Sequence, residues 1–488
     1  MNVETTRTNS TVTVGIPSIP FWKRVGLLTV GQTTEKAVQM ILVVLLVRIV
    51  APSAWNVVAL SLTVYFAALT IGSFNLEQSV LFFLPRFDRA RQDALIARTT
   101  LMLAASGAVI GLAVLIIGSM TSVLGARSVS LLLGLAIAVE MPTVIAGPVL
   151  VLRSRISAAG AWDTGQSLAQ LACVLVPALA GASAQGIVGG LAVAGTIRLV
   201  GYVIVFRDLF DAQRRLAGRS VMIEQIMFCL PLGVALAAGA LARLADKWIL
   251  AWRVPADLGL FVVAAQEIPI LAVLPYAGGA AIAVALAQRL SAGDWETAHR
   301  LWFRQAAAMC RSVVPLTISL ALVAPEVFGM LFGSRFDAAI FTFQVFTLVG
   351  LHRVTEYGMV LRAAGRTRDV ALSSIVLLGC CVAFGVPAAL IGGMRGLTFS
   401  TLGAFIVAWW WILGRVANVF GKRRSTVFPW TDWSVYVFVY GSAALVLHQM
   451  TERVMAESGR LALKLAVFGA LVVAVEMWRR GRPRVGET

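Results

Sequence analysis

Gln32, Glu35, Lys36 and Gln39 fall at i, i+3, i+4 and i+7. On a helix that spacing makes a single polar stripe. The surrounding run, residues 24–49, is otherwise mainly apolar and long enough to cross a bilayer, which holds Lys36 away from either surface. A second set, Arg243, Asp246 and Lys247, shares one helix face at i, i+3 and i+4. Glu267 lies deep in the next apolar run, between Gln266 and Pro269, while Glu140 and Arg198 stand near the middle of two others. Charge buried in lipid is costly, so it faces a bundle interior or a wet cavity. Ammonium and guanidinium groups both bind phosphate oxygens well, and a lumen offering Lys36 and Arg243 would suit a lipid-linked pyrophosphate.

Each of these groups also has a plainer reading. Lys36 can clasp a carboxylate and only hold two helices together. Arg198 and Glu140 can pair with each other. Asp246 and Lys247 can be an interfacial pair among solvated headgroups, or a gate on the far side. Glu77 closes the second apolar run and is expected at a gate. Buried carboxylates neutralise readily, so Glu35, Glu140 and Glu267 are candidates for binding a coupling proton or sodium ion. Enzyme chemistry is poorly served. The three histidines are scattered over loops and span ends, and the five cysteines lie in apolar runs without a CxxC. No catalytic residue, metal or cofactor is expected, nor a disulfide framework.

The elements that must position these groups are membrane helices. The 488 residues are 59% hydrophobic and only 13% charged, with a mean hydropathy of +0.85. A soluble chain would carry roughly a quarter charged residues. The net charge of +17 would suggest nucleic acid in a soluble protein, but here it follows the loops, and no nucleic-acid partner is expected. Arg86, Arg89 and Arg91, then Arg214, Arg215 and Arg219, then Lys422, Arg423 and Arg424 belong to one set of loops. The opposite set is short and holds isolated cations such as Arg127, Arg395 and Arg460. The basic side is expected to be cytoplasmic, with both termini on it. Residues 1–20 lack the order of a signal peptide.

Apolar runs near the ~20 residues of a crossing number about fourteen. The run at 256–288 is too long for one straight helix, and Pro269, Pro275 and Gly278-Gly279 are expected to bend or break it. VRIVAPSAWNVVALSL around Pro52 lies over LAWRVPADLGLFVVAA around Pro255, and the same offset sets Arg86 on Arg289. Six spans per half is an even number, so the halves are parallel repeats with a site expected between them. The expected organisation is a cytoplasmic tail (1–23), a six-helix lobe (24–206), a cytoplasmic linker (207–221), a second six-helix lobe (222–418), then two further helices and a basic tail (419–488).

With this pattern, the chain resembles Wzx-type flippases, the polysaccharide transporter branch of the multidrug/oligosaccharidyl-lipid/polysaccharide exporter superfamily. The resemblance rests on Pro231 in the seventh span, Ala245-Asp246-Lys247-Trp248-Ile249-Leu250, Asp257-Leu258-Gly259, and Arg362-Ala363-Ala364-Gly365-Arg366-Thr367-Arg368. Lys247 stands where the family often has Arg. Gly259 is expected at a turn, and its first-half counterpart Asn56 tolerates a left-handed backbone better than most residues. The resemblance implies an all-α inner-membrane carrier that breaks no bond. Its substrate would be an undecaprenyl-pyrophosphate-linked oligosaccharide for exopolysaccharide, capsule or O-antigen, and its partners membrane lipid, a polysaccharide polymerase and export machinery. In such a carrier Gln32, Lys36, Gln39, Arg198 and Arg243 would line the cavity. Glu35, Glu77, Glu140, Asp246, Lys247 and Glu267 would gate or couple, and Arg86, Arg289 and Arg362 would mark the cytoplasmic entrance. Two alternatives stay open: a drug/cation antiporter of the same fold, which would want an acidic lumen, and a polysaccharide polymerase or lipid-linked glycosyltransferase, which would want a sizeable external loop.

Overall fold

The computed structural model describes residues 38–84, 87, 89–121, 123–153, 155–208, 219–454 and 457–480. Among these residues the chain is helical and holds no strand. Nine helical segments there are long and apolar enough to cross a membrane. Large apolar side chains such as Val109, Met120, Ile391 and Phe438 point outward, more than 65% exposed each. Water would penalise such a surface; lipid does not.

The first half runs through α1 (Val38–Ile49), α2 (Pro52–Ser73), α3 (Leu76–Phe83), α4 (Arg89–Thr121), α5 (Arg127–Glu140), α6 (Ala146–Leu152), α7 (Ile156–Leu179) and α8 (Ala184–Val205). Two of its crossings are interrupted. Phe74 and Asn75, both at positive φ, separate α2 from α3. A short 3-10 turn at Met141–Thr143, carrying Pro142, separates α5 from α6 and leaves Glu140 on the last residue of α5. α4 and α5 approach so closely that a Cβ on Gly111 would lie 2.4 Å from the carbonyl oxygen of Gly134. Small residues at such a crossing bring the backbones together, which is how helices pack where lipid removes the hydrophobic drive.

The second half has α9 (Arg219–Arg253), α10 (Leu258–Ala264), α11 (Pro269–Ser291), α12 (Trp295–Leu322), α13 (Ala324–Phe332), α14 (Asp337–Val349), α15 (Tyr357–Ala363) and α16 (Thr367–Phe420). The expected interruption of the long eighth run falls at Ala265–Ile268, immediately before Pro269. Pro275 and Gly278-Gly279 lie within the continuous α11 instead. Gly278 serves packing, since a Cβ there would stand 2.8 Å from Gln305 Nε2 and Met309 Sδ. The two arms of α16 meet at Gly393, whose φ of +53° is not helical. A short α17 (Arg424–Val427) leads to α18 (Trp430–Val454) and α19 (Glu457–Arg480). Lys464 on α19 is 1% exposed and reaches Glu326 on α13 at 2.6 Å, tying the last helix to the second half.

Ion pairs and hydrogen bonds join neighbouring elements near the helix ends. On the basic side Arg153 pairs with Asp93, and Lys422 pairs with Glu296 at 3.2 Å. On the other side the halves meet directly. Asn56 Oδ1 accepts from the Gly259 amide at 2.9 Å, Asn56 Nδ2 donates to the Pro255 carbonyl at 3.2 Å, and Trp55 Nε1 donates to the Gly259 carbonyl at 3.2 Å. Arg48 donates to the carbonyls of Leu331 and Met330. Asn56 and Gly259 are helical and neither has a positive φ, so the expected left-handed turn is absent. Gly259 is needed for close approach: a Cβ there would lie 2.3 Å from Asn56 Oδ1 and 2.6 Å from Trp55 Cδ1.

Candidate functional site

A cavity of about 770 Å³ opens between the halves. Its walls come from α1, α2, α3, the α5–α6 break, α7 and α8 on one side, and from α9 with the break before α11 on the other. Contacts between the halves lie near both ends of α9. Near its start, Gln225 Nε2 donates to Ser79 Oγ at 2.8 Å and Thr99 Oγ1 at 2.9 Å; beyond its end lies the Asn56–Gly259 contact.

The cavity gathers residues that the sequence scatters. Gln39, Glu77, Glu140, Arg198, Arg243, Lys247 and Glu267 all line it. Gln32, Glu35, Lys36 and Arg86 lie outside the described residues. Arg289 and Arg362 do not line the cavity. The first pairs with Asp294 at 3.3 Å, and the second pairs with Glu356.

Arg198 and Glu140 form an ion pair, with their side chains 21% and 4% exposed. Tyr65 donates its hydroxyl to the other oxygen of Glu140, and Arg198 Nε donates to Gln166 Oε1. The break at Pro142 allows this cluster, because it lets α5 end at Glu140 just where α8 passes. Glu267 sits in the unwound stretch before α11 and pairs with Arg353, 86 residues away in sequence.

Asp246 and Lys247 are not solvated headgroup neighbours, being 4% and 8% exposed. Lys247 Nζ donates to the Arg243 carbonyl at 2.7 Å and lies 3.4 Å from Asp246 Oδ1. The i, i+4 spacing on α9 folds the lysine back over its own helix, so it faces the cavity while its charge is partnered. Arg243 differs. It lines the cavity and forms no ion pair among the described residues, although Glu267, Arg353 and Asp246 surround it electrostatically.

Sequence reasoning overlooked Tyr65, Arg353 and the polar face of α7. Asp163, Gln166, Ser167 and Gln170 follow the same three- and four-residue spacing as the stripe at 32–39, and all line the cavity beside Trp162. That signal was present in the sequence. The Glu267–Arg353 pair had none, since the partners lie on different elements. Among the described residues no three His, Cys, Asp or Glu side chains come together as a metal site.

The chain is thus a helical, two-halved membrane protein with a polar cavity between its halves. No family model matches the sequence, and no curated protein sequence does. Solved structures do. The lipid II flippase MurJ in its inward closed conformation aligns with a TM-score of 0.69 at 11% identity, covering 93% of this chain and 100% of its own. The eukaryotic MATE transporter AtDTX14 aligns at 0.59 with 16% identity, covering 84% and 99%. A MOP superfamily transporter from Pyrococcus furiosus aligns at 0.55 with 13% identity, covering 82% and 96%. The chain therefore has the fold that these solved structures share, and its long apolar helices make it a multi-pass membrane protein.

Proposed function

We propose that the protein is a flippase for undecaprenyl-pyrophosphate-linked oligosaccharide in the inner membrane, serving exopolysaccharide, capsule or O-antigen assembly. Substrate would enter the cavity from the cytoplasmic side and leave facing the periplasm by alternating access, its lipid tail remaining in the bilayer. Arg243 carries this reading. An arginine that lines a membrane cavity without an ion pair among the described residues is suited to an anionic ligand, and phosphate oxygens fit its fork of donors. Lys247 on the same helix and Lys36 on the polar stripe of the first apolar run would add charge to the same task. Likeness to a lipid II flippase in fold agrees with a lipid-linked cargo. Fourteen crossings and cytoplasmic termini belong to the same proposal.

The test is polymer export in cells carrying Arg243→Ala or Lys36→Ala. Export is expected to stop while protein abundance stays near normal. Depletion of Lys36→Ala, rescued by removing Glu35 as well, would mark that lysine as structural. Undiminished polymer in Arg243→Ala cells, together with efflux of cationic drugs, would favour a drug antiporter of the same fold, for which Glu77 and Asp163 in the cavity would be the acidic groups.

A further inference from the structure

The walls of the central cavity differ in chemistry. α9 supplies Arg243 and Lys247, whereas α7 supplies an indole and amides: Trp162, Gln166 and Gln170. Residues 166 and 170 are i and i+4, so their side chains leave one helix face about 5–6 Å apart. Gln166 accepts the Arg198 Nε–H at its carbonyl oxygen. What it can still offer the cavity is its NH2 group. Gln170 Nε2 is buried and finds no hydrogen-bond partner among the described residues. A donor left in that state destabilises a fold, and its retention calls for a reason. Trp162 rests one edge of its ring 3.5 Å from where a Cβ on Gly201 would stand, and it lines the cavity next to these amides.

A phosphate is poorly matched to this wall, because α7 carries no lysine or arginine. Two amide donors one helical turn apart suit carbonyl and hydroxyl acceptors on a single ring, and an indole covers the apolar face of a pyranose. We infer that the α7 face is a sugar subsite for an N-acetylhexosamine, opposite the cationic α9 face that takes the pyrophosphate. The inference rests on the flippase reading and adds an orientation to it. Glycan lies against the first half and phosphate against the second. Binding of the acetamido carbonyl satisfies Gln170 only when substrate is present, so the empty carrier bears the unmet donor.

The full-length protein in nanodiscs is titrated, by native mass spectrometry, with undecaprenyl pyrophosphate and with undecaprenyl-pyrophosphate N-acetylglucosamine. The unaltered protein is expected to prefer the sugar-bearing lipid. Gln170→Leu should cut that preference about fivefold, the worth of one hydrogen bond, and leave affinity for the bare lipid unchanged. Its melting temperature should hold or rise, because the buried donor is gone. Trp162→Ala should also reduce the preference. A preference that survives Gln170→Leu, or a variant that weakens both lipids equally, overturns the subsite. Equal binding of the two lipids by the unaltered protein overturns it too while leaving the flippase reading intact. Binding of neither removes that reading and this one together.

Discussion

Arg198 and Arg243 are the same residue type in the same cavity, and their surroundings separate their roles. Arg198 is neutralised by Glu140, with Tyr65 and Gln166 completing the hydrogen bonds of the pair. Removing one member of a buried pair leaves an uncompensated charge, at a cost of about 3–5 kcal/mol. Arg198→Ala and Glu140→Ala are each expected to lower the melting temperature in detergent sharply, and the double variant to recover much of the loss. Losses that simply add would mean the pair is not coupled. Arg243 forms no such pair among the described residues, so under the proposed function its truncation should cost transport far more than stability. The pair also bears on coupling. An anionic substrate competing for Arg198 would release Glu140, and a carboxylate freed in a buried site takes up a proton readily.

At the scale of elements, the two halves are held together by borrowed helix caps. The first amides of α10 lack partners within their own helix, and Asn56 on α2 accepts from one of them, at Gly259. The last carbonyls of α13 are likewise open, and Arg48 at the end of α1 donates to those of Met330 and Leu331. A cation at a helix C-terminus is favoured by the helix dipole as well. Opening the cavity on this side breaks both caps. At the other end of α9, the Gln225 bonds to Ser79 and Thr99 must break instead. Asn56→Ala, and Gly259→Ala through the clash of its Cβ, are expected to shift the carrier toward opening on the Asn56 side. Gln225→Leu should shift it the opposite way. In a cysteine-free background, a thiol placed at Leu244 in the cavity reports the shift by its reaction with a membrane-impermeant reagent added from either side. Identical labelling in all three variants would show that these contacts do not set the conformation.

For the whole molecule, under the proposed flippase function, the direction of transport is an electrostatic question. A pyrophosphate diester carries about two negative charges, and an inside-negative potential drives each outward by roughly 2.3 kcal/mol per 100 mV. Uncompensated, the total is about 4–5 kcal/mol at roughly 100 mV. Flipping in proteoliposomes is therefore expected to follow an imposed potential. Flipping that ignored it and followed a proton or sodium gradient would assign coupling to Glu35, Glu140 and Glu267. Orientation has its own check. Reporter fusions at Arg127, Arg395 and Arg460 should read as periplasmic and a fusion after Arg484 as cytoplasmic; a consistent reversal past one of them would break the even-numbered repeat.

How much of this could be read beforehand depends on whether a signal is local. Apolar runs are local, so the helical membrane fold and the interruption before Pro269 were legible. Periodicity is local too, and it marked Arg243 and Lys247 as sharing a face. Partnership is not. Nothing near Glu267 names Arg353, and nothing near Lys464 names Glu326. Burial also escaped, because Asp246 and Lys247 sit close to the end of α9, where a hydropathy plot places headgroups. The polar face of α7 was a legible signal left unread.

The Asn56–Gly259 contact has a consequence for how such a chain arises. The two positions are 203 residues apart, the offset of the repeat, so each residue meets its own counterpart. Counterparts touch only on the axis that relates two copies, as at the centre of a homodimer. Two asparagines there would compete for one space, and two glycines would leave the amide uncapped. After a duplication, most positions can stay alike for as long as mutation spares them, but this one must diverge for the copies to close. Gene conversion, which makes duplicated segments identical again, would remove this contact.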